Sequence, residues 1–157
     1  MANIFEYRRL TPAQARTVAD RRLGDAECLR KTGENARSNG VFYLGGLVID
    51  CLLKAALLEQ HPHLRVPIAA ENLSRMGRKV QSLIHRSHDL TEMLAALPEI
   101  QARIKLYDEA HGTDWFRQLV EICDRWTVFA RYSPSTELMS NAAGFLGRVR
   151  ELRQWLK

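Results

Sequence analysis

Residues 41–58 read VFYLGGLVIDCLLKAALL, and this stretch decides the fold. It is apolar enough to form the centre of a core, yet it contains one acid and one base, Asp50 and Lys54. Their spacing of four residues places both side chains on one strip of a helix, with the acid before the base, which is the favourable order. A buried helix that keeps such a pair indicates either a salt-bridged core or a functional site.

Length and composition indicate one soluble globular domain covering residues 1–157. The chain is 46% hydrophobic and 26% charged, and no apolar leader is visible at its start, so we expect a cytoplasmic protein that does not associate with a membrane. Three widely spaced cysteines, Cys28, Cys51 and Cys123, form no CxxC motif and are interpreted as buried reduced thiols. No phosphate-binding loop, zinc-ligand spacing or Ser/His/Asp pattern is present, so we expect no metal and no cofactor.

Start and stop signals predict helices along the whole chain and no strand. Thr11, followed by Pro12 and Gln14, predicts a capping box that opens a helix running to about Thr32, where Gly33 ends it. Further helices are predicted at about 34–60, 70–84, 90–97 and 98–107, then from a Gly112-Thr113-Asp114 cap to about 132, and from about 135 onward. Together they predict an all-α fold, an up-and-down antiparallel bundle of four main helices with additional short ones.

The positive charge is unevenly distributed. Residues 72–88 contain four bases, two histidines and no acid, and the last ten residues contain four bases and one acid. Such patches suit phosphate groups or an acidic partner, although a solvated helix face has the same composition. The candidate phosphate-binding residues in the first patch are Arg75, Lys79, Arg86 and His88. For His88 the alternative is a structural role at the start of the next helix.

Three segments resemble HEPN-domain proteins. The sequence YLGGLVIDCLLKAAL at 43–57 is similar to the signature helix of that family, SHDL at 87–90 to its His-(Asp or Ser)-Leu element, and ARYSP at 130–134 to its Ala-Arg-Tyr-Pro ending. They occur in the family's order, over about residues 35–135. The resemblance implies a helical bundle that forms a homodimer and binds nucleotide or RNA. It also implies a prokaryotic toxin–antitoxin or defence setting, with a nucleotidyltransferase-like antitoxin as a possible partner.

Many proteins of that family are metal-independent ribonucleases, in which an Arg is followed after four to six residues by a His late in the bundle. The His moves a proton during attack of the RNA 2′-hydroxyl on phosphorus, and the Arg neutralises the phosphate. Here no His follows His111, and the only formal match is Arg78 with His85. We therefore expect a non-catalytic binding protein. The alternatives are a ribonuclease using Arg78 and His85, and a protein-interaction module with no nucleic-acid role.

The sequence also predicts an internal polar core and a homodimer. Asp50 and Lys54 are predicted to form an internal polar core with Tyr43, and Arg131 or Tyr132 is expected to reach Asp50 from the end of the penultimate helix. Wide apolar faces on the second and penultimate helices predict a homodimer.

Overall fold

The computed structural model describes residues 9–157, which form seven α-helices and no strand. The helices are α1 (Pro12–Lys31), α2 (Ser38–Gln60), α3 (Arg75–His85), α4 (Leu90–Ala95), α5 (Pro98–His111), α6 (Trp115–Arg125) and α7 (Met139–Leu156). Short 3-10 turns occupy Asn35–Arg37, Pro62–Arg65, Ala70–Asn72 and Val128–Tyr132. The all-α prediction is confirmed. Only α1, α2 and α7 have 18 residues or more, so the finer prediction of four main helices is not confirmed.

Helix α2 lies at the centre of the core and contacts α1, α3, α4 and α7. Its residues Val48, Ile49, Leu52 and Leu53 have no exposed surface. By length and composition alone, Asn35–Gln60 could cross a membrane, but 72% of its most apolar window is buried inside the protein. Such burial is what the core helix of a globular protein shows, so the apolar character of α2 is weak evidence for a membrane span.

Glycines on α2 allow its neighbours to approach closely. A Cβ atom at Gly46 would lie 1.9 Å from Nε1 of Trp126, and one at Gly45 would lie 2.6 Å from Cε1 of Phe145. Neither distance is possible for real atoms, so both positions require glycine unless the aromatic rings move. The two glycines in the middle of the deciding stretch are therefore docking points for the chain that follows α6 and for α7.

Several predicted helix ends are confirmed. Thr11 and Gln14 form the capping box, with reciprocal bonds of 2.9 and 3.2 Å. Gly33 follows α1 with a φ of 69°, a conformation that only glycine adopts easily. Asp89 caps α4 by accepting a hydrogen bond from the Glu92 amide, but the Glu92 side chain binds Lys79 instead of completing a capping box.

The cap of α6 differs from its prediction. Asp114 stands at the N-cap position but its side chain makes no capping bond. The carboxylate of Asp108 in α5 accepts hydrogen bonds from the backbone amides of Trp115 and Phe116, at 3.0 and 2.8 Å, and from the hydroxyl of Thr113. Burial alone would raise the pKa of Asp108, but these hydrogen bonds lower it below its usual value. Because the turn between α5 and α6 is tight, a residue of α5 caps the start of α6.

Several helix boundaries also differ from their predictions. Helix α5 continues to His111 instead of about 107 and ends at Gly112, whose φ is 63°, and α2 begins at Ser38 after a 3-10 turn at Asn35–Arg37. Helix α6 ends at Arg125 instead of near 132, because Trp126 takes an extended backbone (φ −78°, ψ 137°) that directs its ring onto Gly46. Consequently α7 begins at Met139 instead of about 135. Helix α3 begins at Arg75, after a separate 3-10 turn at Ala70–Asn72, because Ser74 caps it by accepting from the Gly77 amide.

The apolar face of α2 is covered within one chain, so this helix leaves no wide apolar surface for a second copy. Large exposed hydrophobic residues within 9–157 lie elsewhere, at Val66, Met76, Leu106, Phe129, Tyr132 and Leu138. Dimerisation stays a prediction from the family resemblance alone.

Candidate functional site

Helix α3 has one apolar face and one basic face. Val80, Leu83 and Ile84 are buried against the core. Arg75, Arg78 and Lys79 are three and four residues apart and share the opposite, solvent-facing side, and the exposed Arg86 follows directly after the last residue of the helix. We call this set the basic face of α3, and it consists of Arg75, Arg78, Lys79 and Arg86.

The four bases are not equally available. Arg75 and Arg86 are exposed, and the side chain of neither makes an ion pair or hydrogen bond with any residue in 9–157. Lys79 Nζ lies 2.5 Å from Glu92 Oε2. Arg78 Nη1 makes long contacts with the carbonyl oxygens of Ala70 and Leu73, at 3.4 and 3.5 Å. Two cations of the basic face are therefore free to meet an external anion, and the other two are partly engaged.

The second basic patch, at the C-terminus, is partly neutralised by ion pairs, since its four bases share three acids. Its four bases pair with acids of α1 and α6, and the pairs are Arg148–Glu121, Arg150–Glu27, Arg153–Asp20 and Lys157–Asp20. These contacts attach α7 to its neighbours. The candidate phosphate-binding residues predicted from the sequence all lie in the first patch, and the ion pairs of the second patch leave the basic face of α3 as the stronger candidate.

The side chains of Arg78 and His85 contact the protein backbone, as residues with a structural role do. His85 Nε2 lies 2.7 Å from the Leu64 carbonyl oxygen, so this nitrogen donates its proton to the backbone. Arg78 and His85 are separated by seven residues, about 10 Å along the helix axis. Both side chains contact carbonyls of the connection that precedes α3. Their role as a catalytic pair stays a prediction, with a competing structural use for each member.

His88 contacts the buried pair formed by Asp50 and Lys54. Lys54 Nζ donates to Asp50 Oδ2 at 3.1 Å, and these residues are 8% and 2% exposed. His88 Nδ1 lies 3.2 Å from Asp50 Oδ1 and 3.5 Å from Lys54 Nζ, while the His88 side chain remains 45% exposed. The imidazole is close enough for an ion pair with Oδ1 but is not aligned for a hydrogen bond, and Oδ1 has no hydrogen-bond partner in 9–157. The internal Asp50–Lys54 pair is thus present, with the imidazole of His88 at its outer end.

The second partner of Asp50 is His88, so the expectation that Arg131 or Tyr132 reaches this carboxylate is corrected. Arg131 donates to the Tyr43 hydroxyl at 3.2 Å and lies over the Tyr43 and Tyr132 rings, with its guanidinium carbon 5.4 and 4.5 Å from their centroids. Tyr132 is 66% exposed. The reason is the early end of α6, which brings residues 128–132 over Tyr43, two helical turns before Asp50.

The thiols offer no activated nucleophile. Burial, reinforced by the adjacent Asp50 carboxylate, raises the pKa of Cys51 to about 11. Burial raises the pKa of Cys123 to about 12. Both are protonated at neutral pH and therefore unreactive. All three cysteines are free, but Cys28 is exposed, so the expectation of buried thiols is wrong for this residue. Within 9–157 no group of three or more His, Cys, Asp or Glu side chains could hold a metal ion.

Two polar contacts were not predicted from the sequence, the one between His88 and Asp50 and the capping of α6 by Asp108. The first joins residues 38 positions apart, and no local pattern marks it. Comparison of the chain with family models, curated proteins and solved structures gave no significant match. The HEPN resemblance therefore rests on the quoted residues of α2, the 87–90 loop and the 130–134 segment.

Proposed function

We propose that this protein is a non-catalytic, HEPN-like helical protein that binds RNA through phosphate contacts on the basic face of α3. The observation that carries the proposal is that the side chains of Arg75 and Arg86 are exposed, make no ion pair with a described residue, and lie in a stretch, residues 72–88, that contains no acid. Unpaired guanidinium groups bind phosphate with charge-assisted hydrogen bonds and release counterions from the nucleic acid.

The length of the basic face favours a polyanion over a single nucleotide. Arg75 and Arg86 are eleven residues apart, which corresponds to about 16 Å along the helix. A single phosphate group cannot contact both guanidinium groups at once, whereas a nucleic-acid strand presents phosphates repeatedly over that distance. Lys79 lies between them and can exchange Glu92 for a phosphate.

The histidines support a binding role without catalysis. His85 uses Nε2 to hold the Leu64 carbonyl, and His88 directs Nδ1 toward Asp50 and Lys54. Proton transfer at His85 would require the imidazole to leave its backbone partner. A homodimer, a toxin–antitoxin or defence setting in the cytoplasm, and a nucleotidyltransferase-like partner complete the proposal, and they are supported by the family resemblance alone.

The first test is binding of a fluorescent single-stranded RNA by anisotropy. The variant Arg75→Ala/Arg86→Ala removes the two free cations of the basic face. Its matched control is Arg21→Ala/Lys31→Ala, which removes two exposed cations from α1, a helix whose surface also carries acids. We expect the α3 variant to raise the Kd by roughly tenfold or more, since loss of a phosphate contact weakens binding to all sequences. The control should change the Kd by less than about twofold. Equal weakening by both pairs would show that net charge, and not α3, determines binding.

A second measurement separates binding from catalysis. The parent protein and His85→Ala are incubated with a mixed RNA pool without added metal. We expect no cleavage by either protein. Cleavage by the parent that disappears in His85→Ala would replace the proposal with a ribonuclease that uses His85 as its acid or base.

A further inference from the structure

A cleft of about 480 Å³ lies between the start of α2, the end of α6, α7 and the segment 130–137. Its volume falls within the range of small-molecule sites. Three aromatic side chains, Phe42, Trp126 and Phe145, line it, and Phe42 and Phe145 pack with their centroids 5.1 Å apart. An apolar floor of this kind suits an aromatic ring.

The lining of the cleft contains two arginines and two glutamates, so its formal charges balance, but of the two glutamates it is Glu121 that pairs with the arginines. Glu121 divides one carboxylate between two guanidinium groups, with Oε1 3.2 Å from Arg125 and Oε2 3.8 Å from Arg148. The side chain of Arg148 makes no hydrogen bond to any residue in 9–157 and is 38% exposed. Glu137, the other acid of the lining, accepts a hydrogen bond from Asn141 at 3.1 Å. A guanidinium held only by a long ion pair retains the donors to bind an incoming carboxylate through two hydrogen bonds.

One wall of the cleft is fixed by a side chain of α2. Asn39 Nδ2 donates to the carbonyl oxygens of Ser133 and Ser135, at 3.2 and 2.6 Å. This contact holds the segment 130–137 against the start of α2, so the cleft has a defined wall over its aromatic floor. Preformed walls of this kind reduce the cost of ordering a ligand.

We propose that this cleft binds a small aromatic carboxylate, with its ring on Phe42, Trp126 and Phe145 and its carboxylate on Arg148. The site is separate from the basic face of α3, since none of its lining residues belongs to that helix. Its occupation is therefore independent of RNA binding by Arg75 and Arg86.

The test uses two probes of nearly equal shape, 2-naphthoate and 2-naphthalenemethanol, which differ in charge. Binding is followed by the NMR signal of the Trp126 indole N–H, with Trp115 and Trp155 as internal controls because neither lines the cleft. We expect 2-naphthoate to shift the Trp126 signal saturably and to bind at least roughly tenfold more tightly than the alcohol, as a charge-assisted pair allows. Arg148→Gln should abolish this preference, and Arg148→Lys should retain part of it. Arg21→Gln, the same substitution on the exposed surface of α1, should leave it unchanged.

Three outcomes would overturn the proposal. The first is an absence of any Trp126 shift at millimolar naphthoate, and the second is equal affinity for the two probes. The third is a preference for naphthoate that survives in a folded Arg148→Gln variant. None of these outcomes affects the RNA-binding measurement, because that measurement reports on residues of α3.

Discussion

The carboxylate of Asp50 is almost entirely removed from water, since the residue is only 2% exposed. Its charge is balanced by Lys54 at 3.1 Å and is approached by His88 at 3.2 Å. A buried pair of this kind adds little net stability compared with an apolar pair, because desolvation of both charges offsets their attraction. Removal of one partner is costly, because the other charge then remains buried without compensation.

We therefore expect Asp50→Ala to lower the free energy of unfolding by about 3–5 kcal/mol. The matched control is Asp25→Ala, which breaks an exposed ion pair with Arg22 and should cost at most about 1 kcal/mol. Urea denaturation of the three proteins measures both effects. Equal stability of Asp50→Ala and the parent would contradict burial of the pair. Asp50→Leu/Lys54→Met, which removes both charges, should recover part of the loss.

The thiols of Cys123, which is buried, and of Cys51, which is partly buried, make stability depend on pH in the alkaline range. Folding raises the pKa of Cys51 from 9.0 to about 11 and that of Cys123 from 9.0 to about 12. A raised pKa means that the folded state disfavours the thiolate. The contribution of each thiol to the free energy of unfolding is therefore complete below pH 9 and is lost as the pH rises toward 11 and 12. Between pH 9 and 11 each thiol should lower the free energy of unfolding by up to roughly 1.4 kcal/mol per pH unit.

The double variant Cys51→Ala/Cys123→Ala isolates this effect, because all lysines and tyrosines titrate equally in the variant and the parent. Its free energy of unfolding, referred to its own value at pH 7, should fall less steeply above pH 9 than that of the parent. Cys28→Ala, which removes the exposed thiol, should keep the parental slope. Identical slopes in all three proteins would show that neither buried thiol resists ionisation.

Contacts between whole elements depend on positions where no side chain is tolerated. Gly46 in α2 accepts the Trp126 ring at a distance that excludes a Cβ atom. We expect Gly46→Ala to destabilise the protein by about 1–3 kcal/mol, because the indole must leave its site. Gly144→Ala is the control, since a Cβ there meets nothing within 4 Å and should stabilise α7 by about 0.5–1 kcal/mol. Thermal unfolding distinguishes the opposite signs, and a neutral Gly46→Ala would contradict the close approach of Trp126.

Helix positions followed from local chemistry wherever a capping residue or a glycine marked a boundary. Thr11, Gly33 and Asp89 are recognised because each satisfies backbone groups within three residues of itself. The end of α6 was not predictable in this way. The apolar spacing continues past Trp126, and the helix stops there because the indole packs on α2, about 80 residues earlier in the chain.

The residue types of the candidate site were predictable from the sequence, but the ion pairs that its bases form were not. The acid-free stretch 72–88 identified the bases of α3 as candidates, and their helical spacing predicted that they share one face. Whether a base is free or neutralised depends on acids distant in sequence. Arg153 pairs with Asp20, which lies 133 positions earlier, and Arg75 pairs with no described residue. A local sequence pattern does not predict ion pairs between residues so far apart in the chain.

The molecule as a whole carries a net charge of +5, and its ion pairs determine where that charge can act. Three acids of α1 and α6 pair with the four bases at the C-terminus and partly neutralise them. The basic face of α3 keeps two exposed guanidinium groups in a segment without acids. Binding of a polyanion to this face follows from that distribution, and it should depend strongly on salt, because each neutralised phosphate releases counterions.

The salt dependence of RNA binding tests this account most directly. The logarithm of the association constant is measured against the logarithm of the salt concentration for the parent, Arg75→Ala/Arg86→Ala and Arg21→Ala/Lys31→Ala. Loss of two phosphate contacts should make the slope shallower by about 1.4 in the α3 variant, since each contact to a single strand contributes about 0.7. The α1 control should keep the parental slope. A parental slope in the α3 variant, or equal flattening in both variants, would contradict phosphate binding by the basic face of α3.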